Sequence, residues 1–145
     1  MQDNPTIPAR QWTLLLLCWL VTLASTLGSL FFSEVMGLDP CVLCWYQRIA
    51  MFPLVIILAM GLHSQDSRSV RYALPIAGLG WLVALYHFLL YSGFIPKGLQ
   101  PCGKDSACTQ VQLELAGFIT IPLLSLVAFS IIVSLLLAAK KGLVK

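Results

Sequence analysis

The chain has 145 residues, of which 59% are hydrophobic and only 10% charged. Soluble domains carry about 25% charged residues, and a core of this size could not hide so much apolar surface, which excludes a soluble globular domain. The net charge is a small +3, and the sequence holds no basic run or basic–aromatic stripe, so nucleic acid is excluded as a partner.

A membrane span needs about 20 mostly apolar residues, and four segments qualify. The first is "WTLLLLCWLVTLASTLGSLFF", residues 12–32. Its apolar run is longer than the roughly 7–15 residues of a signal-peptide core, so it is expected to stay as a span. Cys18, alone inside it, reads as a small packing residue. The second span covers about 43–62 and contains Pro53, deep enough to be expected to kink it. The third, "YALPIAGLGWLVALYHFLLYS", covers 72–92; the fourth, "FITIPLLSLVAFSIIVSLLLAA", covers 118–139. Pro75 and Pro122 fall near the starts of these spans, where a missing N–H costs little.

The links are short, so sequential spans should run antiparallel and pack as a four-helix bundle. The expected fold is all-α: one integral membrane domain over 1–145, with two outward-facing cysteine loops. Lys and Arg mark the cytoplasmic side. Arg10, Arg68, Arg71, Lys140, Lys141 and Lys145 fall on one side of this arrangement, and Lys97 and Lys104 on the other. Both termini are therefore expected in the cytoplasm, and the 33–42 and 93–117 loops outside.

Five cysteines are present. Cys41 and Cys44 lie where the second span begins, in "CVLCWYQR"; Cys102 and Cys108 lie in the outer loop "PKGLQPCGKDSACTQ". Both pairs face the compartment where disulfides persist. Pro40 precedes Cys41, and "GLDP" reads as a turn feeding a helix. A thiolate at a helix N-terminus is stabilised by the helix dipole and the unpaired N–H groups. The i, i+3 spacing also suits a disulfide across one turn. Such a pair is a redox device, because as a staple it would close a trivial loop. A four-cysteine zinc centre would need the two pairs to converge, and C-x5-C is a poor second half, so no metal is expected. Cys102 and Cys108 admit two readings: a structural disulfide worth roughly 2.4 kcal/mol, or an exchangeable one presented to another protein. A second dithiol on the same face favours exchange.

Positions 41, 44 and 48 lie on one helical face, at about 0°, 300° and 340°. Arg48 therefore stands about one turn below Cys44, where it either snorkels to the headgroups or faces the bundle, stabilises a Cys44 thiolate and holds a polar ligand atom. His87, in the third span, comes at a matched depth of roughly 7–8 Å below the outer surface. It is either satisfied locally or shares a site with Arg48. A ligand reaching this site from the bilayer, with polar oxygens near headgroup depth and taking two electrons and two protons, is best met by a quinone.

At these residues the sequence resembles the disulfide bond formation protein B (DsbB) family. "CVLCWYQR", the four spans and a second cysteine pair in the second outer loop carry the resemblance over nearly the whole chain. The short C-x5-C loop, "GSLFFSE", "CWYQR" and "GFITIP" look closest to the BdbC-like branch of Gram-positive bacteria. The resemblance implies a membrane thiol–disulfide oxidoreductase of the bacterial cytoplasmic (inner) membrane. By it, Cys41 and Cys44 pass electrons to a bound quinone, ubiquinone or menaquinone, and Arg48 contacts that quinone. His87 falls near a position the family uses beside the quinone. Cys102 and Cys108 match the pair that oxidises an extracytoplasmic thioredoxin-fold thiol oxidase, DsbA-like in kind. The departure is in the second loop, where only five residues separate the cysteines and Gram-negative members have a much longer stretch. Two other classes stay open: a thiol reductase resembling vitamin K epoxide reductase, whose CxxC would be expected nearer the C-terminus, and a non-enzymatic four-span scaffold with structural disulfides.

Overall fold

The structure is a computed structural model that describes residues 7–37, 39–96, 98, 114–115 and 119–144. Cys102 and Cys108 lie outside the described residues. Among the described residues the chain forms helices α1 (Ala9–Glu34), α2 (Val42–Ser64), α3 (Arg68–Tyr91) and α4 (Ile121–Val144). All four are long and apolar enough to cross a membrane. A bilayer core leaves backbone groups no water to bond, and a continuous helix satisfies them within its own segment. α2 accordingly runs as one helix through Pro53.

The fourth helix starts at Ile121, not at 118. Ile119–Thr120 is extended (β2) and pairs antiparallel with Glu114–Leu115 (β1). Pro122 then sits in the first turn of α4, as its missing N–H allows. At the other end of this loop α3 closes on Ser92, and Gly93 takes a φ of 79°. That left-handed step is the usual helix stop and favours glycine.

Each helix packs on its two neighbours in the ring α1–α2–α3–α4–α1. The centre is filled by Leu15 and Cys18 of α1, Leu54 and Leu58 of α2, Ala73, Ala77 and Ala84 of α3, and Phe129, Ile132 and Leu136 of α4. Cys18 is fully buried there, its Sγ 3.9 Å from the Ile132 carbonyl oxygen, so it packs as a small core residue. The small side chains of α3 let α4 approach. Gly80 lies directly under the Phe129 ring, and a Cβ there would overlap it. Two indoles tie neighbouring helices: Trp19 Nε1–H donates to the Val55 carbonyl at 3.2 Å and Trp81 Nε1–H to Ser130 Oγ at 3.0 Å. The outer surface is as apolar as the centre, with Leu20, Leu27, Ile49, Ile56, Leu79, Leu82 and Ile131 exposed. Such a surface is stable against lipid tails and not against water.

Candidate functional site

The site is built on the first two turns of α2. Cys41 is the residue that caps this helix: its backbone is extended, and its sulfur accepts the backbone N–H of Cys44 at 3.3 Å. A sulfur takes here the position a serine or aspartate oxygen takes at most helix starts. The capping bond and the helix dipole both favour its ionised form.

The two sulfurs lie 2.8 Å apart, with Cys41 buried and Cys44 half-buried. His87 reaches across from α3. Its Nε2 is 3.8 Å from the Cys41 sulfur, and its ring is only 2% exposed. The Gln47 amide nitrogen lies 3.2 Å from His87 Nδ1. In this orientation the amide donates, Nδ1 accepts, and the ring proton sits on Nε2, facing the sulfur. The Cys41 thiol is held well below the ordinary thiol range, first by its hydrogen bond with Cys44 and next by His87, against the opposing effect of burial.

Arg48 turns to the other side of α2. It is 8% exposed, and α1 satisfies it: Nε–H donates to Ser29 Oγ at 2.8 Å and Nη2–H to the Ser29 carbonyl at 2.6 Å. The guanidinium carbon also stands 5.5 Å from the centre of the Trp45 ring, within cation–π range. So the arginine lies against the bundle.

Beside it is a cleft of about 450 Å³ between α1, α2 and α4, a size typical of small-molecule sites. Cys44, Gln47, Arg48 and Met51 line it from α2, Ser25, Gly28 and Ser29 from α1, and Leu124, Ser125 and Ala128 from α4. Leu124, Val127 and Ile131 on its rim are exposed, so it opens on the apolar outer face. The lining is mostly apolar, with Cys44, Gln47 and Arg48 of α2 and Ser25, Thr26, Ser29, Ser33 and Ser125 of α1 and α4 among its residues.

The structure therefore brings Cys41, Cys44 and His87 together, with their ligand atoms all within 4.8 Å of one another. Arg48 joins them on the opposite face, through Cys44. His87 does not line the cleft and meets it only through Gln47. Two residues were not singled out from sequence. Gln47 carried a visible signal, being a polar side chain three residues past Cys44 inside an apolar span. Ser29 carried none, since one serine among several in "ASTLGS" has no reason to be the partner of an arginine on another helix.

A four-helix membrane bundle with a capped, half-buried dithiol at one helix start belongs to the disulfide-forming class of membrane proteins. The family model described as "Disulfide bond formation protein DsbB" matches residues 10–139. A probable disulfide formation protein of Metapseudomonas resinovorans is 47% identical over 139 residues, covering 95% of this chain and 96% of that protein. Disulfide bond formation protein C of Bacillus subtilis is 44% identical over 117 residues, covering 79% and 83%. The probable disulfide formation protein C 2 of Bacillus cereus is 41% identical over 120 residues, covering 83% and 86%. No solved structure matches significantly. This chain belongs to the DsbB family of disulfide bond formation proteins.

Proposed function

We propose that the protein reoxidises an extracytoplasmic thioredoxin-fold thiol oxidase and passes the electrons to a membrane quinone, ubiquinone or menaquinone. The observation that carries this reading is the cleft: Cys44 of the dithiol and an arginine fixed on Ser29 line the same mostly apolar cavity, which opens on the apolar outer face.

In this scheme the reduced partner attacks a Cys102–Cys108 disulfide, and a mixed disulfide forms and resolves. The resulting dithiol then exchanges with Cys41–Cys44, so that one disulfide is made as another is broken. The quinone, when bound, supplies the two-electron oxidant for the Cys41/Cys44 dithiol. Cys44 faces the cleft and is the thiol nearest the acceptor. Arg48, anchored by Ser29, offers its remaining N–H groups to a carbonyl oxygen. His87 serves the site through Cys41, toward which its Nε2–H points, and through Gln47, whose amide reaches the cleft wall. By the charge pattern, the cysteine loops lie outside the cytoplasmic membrane and both termini inside.

The test is turnover with purified protein, a reduced thioredoxin-fold oxidase as donor and a quinone as acceptor. Partner oxidation should proceed one-for-one with quinone consumption and stop in Cys44→Ser. Steady turnover without quinone, or normal turnover in Cys44→Ser, would sink the scheme.

A further inference from the structure

We propose that the reduced Cys41–Cys44 pair and His87 together form a three-ligand site for a thiophilic divalent cation of the zinc type, open only in the dithiol state. This is a different ligand set from the four-cysteine centre considered from the sequence: an imidazole from α3 takes the place of the second cysteine pair.

The geometry supports it. A tetrahedral zinc ion with bonds near 2.3 Å to sulfur and 2.05 Å to nitrogen sets its ligand atoms about 3.8 Å apart for two sulfurs and about 3.6 Å apart for sulfur and nitrogen. Here Cys41 Sγ and His87 Nε2 are 3.8 Å apart, and the three ligand atoms fall within 4.8 Å of one another. The two sulfurs, at 2.8 Å, must open by about 1 Å. Cys44 is half-buried and lines the cleft, so it has room to rotate. Two thiolates and one imidazole suit zinc-class ions and leave a fourth position free.

Gln47 supplies the outer support that metal-bound histidines need. A ligating Nε2 requires the ring proton on Nδ1, and that N–H wants an acceptor. Turning the Gln47 amide over presents its oxygen to Nδ1 across the same 3.2 Å contact. The guanidinium of Arg48 is engaged by Ser29 of α1, and the two thiolate charges offset its repulsion of a cation. Binding moves no electrons: the cation takes the Cys41 thiolate as it stands and replaces whatever protons the two sulfurs still carry, which are released to solvent. A disulfide has no such protons to give up and offers no thiolate ligand. The ion would thus trap the reduced protein and block its reoxidation.

Coordination needs only the reduced thiols and His87, so it stands or falls separately from the quinone reading. The probe is Co²⁺, added to the full chain in detergent with Cys102→Ser and Cys108→Ser in place to remove the other thiol pair. The reduced protein should bind one Co²⁺ and show thiolate charge-transfer and tetrahedral d–d absorption. Zn²⁺ should displace it, and the oxidised protein should show no such absorption. His87→Ala should weaken binding at least tenfold, the scale on which even supporting residues act. His87→Gln, which keeps a polar side chain at the position, should do the same and covers the case in which the alanine variant does not fold. Absence of the absorption in the reduced protein, equal binding by the oxidised form, or unchanged affinity in the histidine variants overturns the proposal.

Discussion

Cys41 does two things with one atom: its sulfur caps α2 and stands 2.8 Å from that of Cys44 as half of the proposed redox pair. That coupling has a consequence for pH. An unperturbed thiol near pKa 8.5 loses about tenfold of its thiolate for each pH unit below that value. Cys41, whose pKa is lowered by Cys44 first and His87 next, keeps its thiolate through neutral pH and loses it only as pH falls through the lowered value. Thiolate absorbance of the reduced protein should therefore persist below pH 7. Its midpoint should rise in His87→Phe and rise further in Cys44→Ala. A midpoint near 8.5 in the native protein would refute the assignment. Ser29 is the second residue-scale case. Hydrogen bonds to charged groups are worth about 1.5–3 kcal/mol, so Ser29→Ala, which removes the acceptor of Arg48 Nε–H, should weaken quinone affinity roughly tenfold or more. Equal affinity in titrations of the two proteins would show that the serine does not hold the arginine. The pattern "CVLCWYQR" made the cysteines and the arginine legible, because their spacing gathers them within two turns at one end of one helix, although Cys41 then turns to His87 of α3 and Arg48 to Ser29 of α1. The Ser29 contact was not legible, because it depends on the rotation of α1 against α2, which no local pattern sets.

At the scale of the element, the four spans were readable because a membrane helix needs only length and apolarity, and both are local. The start of α4 was not: "GFITIP" is apolar throughout, and hydropathy cannot separate an extended lead-in at Ile119–Thr120 from the helix that follows. How the helices press together was equally hidden, and two glycines of α3 make the point. A Cβ at Gly78 would meet nothing within 4 Å, and one at Gly80 would overlap the buried Phe129 ring. Gly→Ala inside a helix gains roughly 0.5–1 kcal/mol, whereas overpacking costs about 1–3 kcal/mol. Gly78→Ala should therefore hold or raise the melting temperature in detergent, and Gly80→Ala should lower it. The same shift for both would mean that α3 and α4 do not meet as described.

For the whole molecule, the distribution of Lys and Arg predicts one orientation, with the dithiol end outside. Gln65, which ends α2, and Gly98, after α3, are both exposed and lie at opposite ends of the bundle. In cells whose native cysteines are blocked, a membrane-impermeant maleimide should label Gly98→Cys and spare Gln65→Cys; the opposite pattern would invert the topology. The orientation matters because the exchange of disulfides is proposed to happen at one face, while the electrons are proposed to leave sideways through the cleft between α1, α2 and α4. That exit is the step on which electron transfer to the membrane depends in this scheme. It is tested most directly by a single turnover, in which pre-reduced protein is mixed with quinone and quinone loss is followed in the native chain, Arg48→Ala and Ala128→Trp. Ala128 lines the cleft and carries no group that could take part in thiol chemistry, and an indole there fills space a ring would need. One quinone should be reduced per dithiol in the native protein, at a rate at least tenfold lower in Arg48→Ala, and none in Ala128→Trp with its helical content intact. Reduction at the native rate in Ala128→Trp would mean that the electrons leave by another path.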